Sequence, residues 1–254
     1  MNAVKLTFMV KSASPPRGGY FTVAATDCSR EFGFHDVTFS GSPARRCIDW
    51  GDGTVQDFAS GSHKKVRHVY PGPGEYTVYV TDSVRLIAIA GYEDPDDTEE
   101  ERIFFTETAP RMLVRYKYNP IDRGPTTMTY FYDVINASRN CSNLVEADMG
   151  AGLVSTFMGA LTGCASLKTF RFPRYCTMLA DDSFAGCASL EGELDLGDTR
   201  RLHASASQLP FRDCPLLAKV RISRRLHDWL TQNAGWYAAN PNLGLPNGTV
   251  EIHD

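Results

Sequence analysis

Phe184-Ala185-Gly186-Cys187-Ala188-Ser189-Leu190 is the stretch whose reading decides the fold, because the chain contains it more than once. Asn140-Cys141-Ser142-Asn143-Leu144, Gly163-Cys164-Ala165-Ser166-Leu167 and Asp213-Cys214-Pro215-Leu216-Leu217 are looser copies. Cys141 to Cys164 is 23 residues, Cys164 to Cys187 is 23 and Cys187 to Cys214 is 27. Phe184 and Phe211 each stand three residues before their cysteine. After each leucine comes a short alternating segment: VEADM, KTFRF, EGELDL and AKVRI. A period of this length, with one turn and one strand per unit, is that of a leucine-rich repeat. Cys and Leu are then expected to point inward.

These F-x-G-C-x-S-L units resemble the BspA-type leucine-rich repeats of bacterial surface proteins, over roughly residues 110–254. The resemblance implies a solenoid with a parallel sheet. Trp229, Trp236 and Tyr237 read as its terminal cap, with a sugar platform as the functional alternative. Equivalent cysteines on stacked strands lie ~4.8 Å apart with parallel vectors, whereas a disulfide needs convergent Cβ atoms near ~3.8 Å. Free, buried thiols are expected, and replacing Cys187 by Ser is expected to bury a hydroxyl with no evident partner.

Upstream, residues 1–90 read as short strands: KLTFMV, YFTVAA, HDVTFS, CIDW, HVY and YTVYVT, separated by Pro and Gly clusters. Within them, Trp50-Gly51-Asp52-Gly53 is followed by His68-Val69-Tyr70 and Gly74-Glu75-Tyr76-Thr77-Val78. Trp50 should fill a core, the two glycines should supply positive φ, and Asp52 should bond its own turn amides. A cation held by Asp49 and Asp52 is the sharper alternative. The three motifs in order resemble the polycystic-kidney-disease (PKD) domain, over roughly residues 5–90. That resemblance implies an immunoglobulin-like sandwich with an adhesive or spacer role.

The expected fold is therefore two-domain: an all-β immunoglobulin-like sandwich plus an α/β leucine-rich-repeat solenoid with a parallel sheet. The expected boundaries are 1–91 for the sandwich, 92–109 for an acidic linker and connecting segment, and 110–254 for the repeats and cap. Seven of the ten residues from Tyr92 to Glu101 are acidic, which reads as a solvated loop. That run and the Pro120–Pro125 loop are the expected sites of limited proteolysis.

Composition narrows the function classes. The 254 residues are 43% hydrophobic with a formal charge of −4, which gives no bulk attraction to nucleic acid. No run approaches the ~20 apolar residues of a membrane span. Leu6–Val10 is too short for a signal-peptide core and reads as an edge strand. No C-x-x-C, G-x-S-x-G, phosphate loop or H-E-x-x-H occurs. No enzyme, metal or cofactor is expected. The expected function is surface adhesion or recognition of a protein or glycan ligand, extracellular or at the cell surface, with the solenoid binding and the sandwich as spacer. The alternative is a structural part of a phage tail or similar virion assembly.

The candidate binding face follows from strand alternation. Tyr116/Tyr118, Ala147/Met149, Phe170/Phe172, Leu194/Leu196, Val220/Ile222 and Val250/Ile252 should point inward. The residues between them, Lys117, Asp148, Arg171, Asp195, Arg221 and Glu251, should point outward and alternate in sign along one column. Glu146, Glu193 and Lys219 flank them two positions earlier. This is a self-neutralising ladder that fixes register, or a surface for a charged partner.

Overall fold

The computed structural model describes residues 18–39, 46–81, 84–88, 96, 98–119, 141–148, 156–157, 161–172, 176–180, 182–203 and 209–253. The KLTFMV strand, half of the acidic run and the Pro120–Pro125 loop lie outside them.

The amino-terminal strands are β1 (Gly18–Ala25), β2 (Glu31–Phe39), β3 (Cys47–Asp49), β4 (Val55–Asp57), β5 (Gly61–Val69), β6 (Gly74–Thr81) and β7 (Val84–Ala88). They form two layers with a shared core. Strands β2, β5 and β7 pair antiparallel in one sheet, and β1, β3, β4 and β6 lie in the other. Alternation supplies the core: Phe21, Val23, Ile48, Val78 and Val80 from one layer meet Phe32, Phe34, Val37 and Val66 from the other. Phe21 meets Phe34 edge-on at 5.2 Å, and Trp50 stacks on Phe34 at 5.9 Å.

After this layer pair the chain makes a short helical run. Glu99–Ile103 opens on a capping box in which Thr98 Oγ1 accepts from Glu101 N–H and Glu101 accepts from Thr98 N–H. One π-turn, Phe104–Thr108, and a last turn, Ala109–Met112, follow. Phe104 and Phe105 are buried, and the Arg67 guanidinium covers the Phe104 ring at 4.2 Å.

The remaining strands are β8 (Leu113–Asn119), β9 (Glu146–Asp148), β10 (Thr156–Phe157), β11 (Thr169–Arg171), β12 (Met178–Ala180), β13 (Gly192–Asp195), β14 (Arg201–His203), β15 (Leu217–Ser223) and β16 (Thr249–His253). Helices Arg224–Gln232 and Ala234–Ala239 lie between β15 and β16, and Ser223 caps the first by accepting from Leu226 N–H.

The fold class differs from the expectation of a sandwich followed by a solenoid. Among the described residues the molecule is mostly β, with several sheets and neither a closed barrel nor a solenoid. Its largest sheet is mixed, with seven strands in the order β11-β9-β8-β1-β6-β3-β4. Strand β8 pairs antiparallel with β1 on one side and parallel with β9 on the other. A strand edge left open by a sandwich is a liability that proteins cover, and LVRYKYN is amphipathic enough to cover it. Its inward Tyr116 packs on Phe21, ring centroids 5.1 Å apart. The strands expected in one parallel sheet are divided further, into β13-β15-β16 and β10-β12-β14. Between β11 and β13 no ladder pairing occurs among the described residues, and the backbones meet through Glu191 N–H to Lys168 O at 3.2 Å. On the other side of β13 Gly192 takes φ 78°, and the β13–β15 pairing shifts register between Gly192 and Glu193.

The repeated units do share one local structure. In each, the leucine N–H closes a turn onto the cysteine carbonyl: Leu144 to Cys141, Leu167 to Cys164, Leu190 to Cys187 and Leu217 to Cys214, at 3.0–3.3 Å. Successive turns stack through Gly163 N–H to Ala185 O and Gly186 N–H to Arg212 O. Phe184 and Phe211 stack at 5.6 Å.

Candidate binding face

The outward residues of the seven-stranded sheet form one row. Backbone register places Val55 opposite Asp49, Asp49 opposite Tyr79, Tyr79 opposite Tyr20, Tyr20 opposite Lys117, Lys117 opposite Asp148, and Asp148 opposite Arg171. The inward neighbours Ile48, Val80, Phe21, Tyr116 and Ala147 are buried, which fixes the facing.

Asp148 is the hinge of the charged end. Lys117 Nζ and Arg171 Nη1 each lie 3.5 Å from the same Asp148 Oδ2. One row further along the strands, Arg115 stands opposite Glu146, and its Nη1 reaches Glu75 Oε2 at 3.5 Å. At the other end Tyr20 and Tyr79 face outward, ring centroids 6.4 Å apart and inclined by 51°. Lys117 Nζ sits 6.0 Å from the Tyr20 ring centroid, the outer limit of a cation–π contact.

The other candidate residues form a second, separate ladder on β13, β15 and β16. Glu193 stands opposite Lys219, Asp195 opposite Arg221, and Arg221 opposite Glu251. Lys219 Nζ is 2.6 Å from Glu251 and 3.7 Å from Glu193. Arg221 reaches Glu193 at 3.4 Å, Asp195 at 3.6 Å and Glu251 at 3.9 Å. The hydrogen bond from Lys219 holds the Glu251 carboxyl below its usual range and the ammonium above its own. His253 Nε2 adds a contact to Asp195 at 3.3 Å. The six-residue column expected from alternation is thus two columns. Asp195 keeps its expected neighbour Arg221 but not Arg171, because β11 and β13 are not ladder partners.

The Trp50–Tyr76 region is packed rather than open. Gly51 has φ 82°, and a Cβ there would lie 2.4 Å from Thr77 O, so only glycine fits. Asp49 Oδ1 accepts from Gly51 N–H and Asp52 Oδ1 from Thr54 N–H, both at 2.9 Å, while Asp52 Oδ2 meets His68 Nε2 at 2.7 Å. Burial alone would raise the Asp52 carboxyl, but the bonds from Thr54 and His68 outweigh it and hold the carboxyl below its ordinary value. His68 stacks on Trp50 at 4.8 Å, and Tyr70 on Tyr76 at 4.1 Å. Both carboxylates thus serve the turn, and no cluster able to hold a metal occurs among the described residues.

None of the seven cysteines is in a disulfide; six are buried and Cys28 is exposed. Burial pushes the Cys141 thiol up to about 12 and Cys214 to about 11, and raises Cys164 and Cys187 too. Cys187 Sγ donates to Leu161 O at 3.1 Å and Cys214 Sγ to Phe184 O at 3.0 Å. Such thiols are packing groups rather than nucleophiles. The partner for Cys187 is one that sequence did not reveal.

Sequence reasoning did not reach the tyrosines. Alternation in YFTVAA and YTVYVT is enough to turn Tyr20 and Tyr79 outward. Their place beside Lys117 depends on β8 docking on β1, for which no local signal exists. Among the described residues no helix is long and apolar enough to cross a membrane. No protein-family model, curated protein or solved structure gives a significant match to this chain.

Proposed function

We propose that this protein is a non-enzymatic recognition protein that works at a cell or virion surface and binds a protein or glycan ligand on the outer face of its seven-stranded sheet. The observation that carries this reading is the row Tyr79, Tyr20, Lys117, Asp148, Arg171, which puts outward-facing aromatic and ionic groups side by side on one continuous sheet. Tyr and Arg are the residue types that dominate binding surfaces. The resemblance of the Trp50–Val78 motifs to adhesive modules points the same way. A non-enzymatic role is further supported by where the weakened acids lie. The thiol column and Tyr70 owe theirs to burial in packed positions, away from this face.

The full chain should be tested on a glycan array and as bait against surface extracts, beside a Lys117→Glu/Arg171→Glu double variant. Saturable binding that the double variant loses is expected. Absence of saturable binding to any ligand, or unchanged binding by the double variant, would overturn the reading.

A further inference from the structure

Tyr20 and Tyr79 belong to different strands, yet register sets them directly opposite one another on the outer sheet face. Tyr79 is 40% exposed, which is a large fraction for a ring with a buried strand on either side. An outward aromatic pair on a sheet offers two apolar faces at a fixed separation, with phenol groups at the wet end. The donors and acceptors continue in line: Asp49 beyond Tyr79, then Lys117, Asp148 and Arg171 beyond Tyr20.

We infer that this row is a binding site for a single chain of an uncharged polysaccharide, its sugar rings seated on Tyr79 and Tyr20 and its next hydroxyls bonded by Lys117, Asp148 and Arg171. The inference rests on the recognition reading above and names the ligand class for that same face.

Three observations select this ligand. The first is charge. Around the row, the cations Arg115, Lys117 and Arg171 face the carboxylates Asp49, Glu75, Glu146 and Asp148. Three positive groups against four negative ones do not attract a polyanion, so a nucleic acid or a sulfated glycan is disfavoured. Paired ions of both signs do present donors and acceptors together, which suits a ligand rich in hydroxyls that are each both.

The second is shape. Five strand positions separate Tyr79 from Arg171 inclusively, about 19 Å at the usual strand spacing. That is an extended track rather than a pocket, and it fits a polymer better than a single sugar. The third is ring geometry. The two tyrosine planes are inclined by 51°, so sugar rings lying on both must be rotated relative to one another. A free chain can adopt that rotation, but the flat face of a crystalline polymer cannot. Lys117 Nζ, 6.0 Å from the Tyr20 centroid, is far enough from the ring to donate to a sugar hydroxyl above it.

The test is native affinity electrophoresis of the full chain through gels containing soluble hydroxyethylcellulose, galactomannan, xyloglucan, laminarin or dextran, with heparin gels and suspended microcrystalline cellulose as comparisons. Retardation by at least one neutral polysaccharide is expected, with little binding to heparin or to the crystalline polymer. Tyr20→Ala and Tyr79→Ala should each weaken it at least tenfold, whereas Tyr79→Phe should retain most of it. Melting temperatures of the variants identify any loss due to misfolding, and in that case the Phe variant and free-oligosaccharide competition decide. Retention of binding by both alanine variants, a preference for heparin or crystalline cellulose, or no retardation in any neutral gel would overturn the inference. If array or pull-down binding is then lost in Lys117→Glu/Arg171→Glu but kept in the tyrosine variants, the recognition reading stands and the polysaccharide site falls.

Discussion

The ring of Tyr116 lies against that of Phe21, centroids 5.1 Å apart, across the β8–β1 junction. This contact joins the core of the amino-terminal layers to the strands that follow. Truncating Tyr116 to Ala removes a fully buried aromatic side chain and should cost about 3–5 kcal/mol. Because the sheet is continuous through the contact, unfolding of the wild type followed by tryptophan fluorescence and by far-ultraviolet dichroism should coincide. Tyr116→Ala should separate the two transitions. Separate transitions already in the wild type would show that the junction carries little coupling.

Asp148 takes two cations on one carboxylate oxygen, so its removal should matter more than the removal of either partner. Arg171 is largely exposed, and Arg171→Glu should cost only about 0.2–1 kcal/mol after solvent screening. Asp148→Lys sets three cations in a row and should cost more. The double exchange Arg171→Glu/Asp148→Lys should recover part of the loss, whereas adding Asp195→Lys should recover none, since Asp195 belongs to Arg221. Urea titrations at low and high salt would measure this. Rescue by Asp195→Lys would contradict the two-column arrangement.

The thiols make a prediction about chemistry and one about pH. Native protein should react at Cys28 with a thiol reagent at once, and at Cys141, Cys164, Cys187 and Cys214 only after denaturation. A native protonated thiol whose pKa stands above its unfolded value of ~8.5 stabilises the fold below that pH. This contribution is lost as pH rises toward about 12 for Cys141 and about 11 for Cys214. Melting temperature should therefore fall progressively above pH ~8.5, and less so in Cys141→Ala. Cys187→Ser should cost only about 1 kcal/mol, because the hydroxyl can donate to Leu161 O as the thiol does. A thermal profile flat to pH 11 would refute the burial account.

At the acid end the sign reverses. Asp52 is held below its ordinary value by Thr54 and His68, so its contribution is present above the unfolded pKa of ~3.9 and lost as pH falls through the lower folded one. Asp52→Asn should lower the melting temperature at pH 6 and narrow the difference from wild type below pH ~3.5. A constant difference down to pH 2 would mean that the His68 contact contributes nothing.

The sequence by itself determined what is local. The 23-residue spacing of the cysteines predicts the repeated Cys-to-Leu turn, and period-two alternation turns Lys117, Asp148 and Arg171 outward in register. Trp50-Gly51-Asp52-Gly53 carries its turn in its glycines and its aspartate. Each of these depends on side chains within a few residues of one another, or on copies of one unit.

Tertiary structure decided what joins what. A strand has two edges with the same backbone donors and acceptors, so nothing in LVRYKYN says that one edge takes β1 while the other takes β9. Nor does the spacing show that β11 and β13 fall in different sheets, so that Asp195 keeps Arg221 as a ladder neighbour but not Arg171. Tyr20 gains Lys117 as a neighbour only because β8 closes the open edge beside it. Burial of Tyr116 against Phe21 and the need to cover that edge settle the docking, and both act across some ninety residues of chain that no local pattern spans.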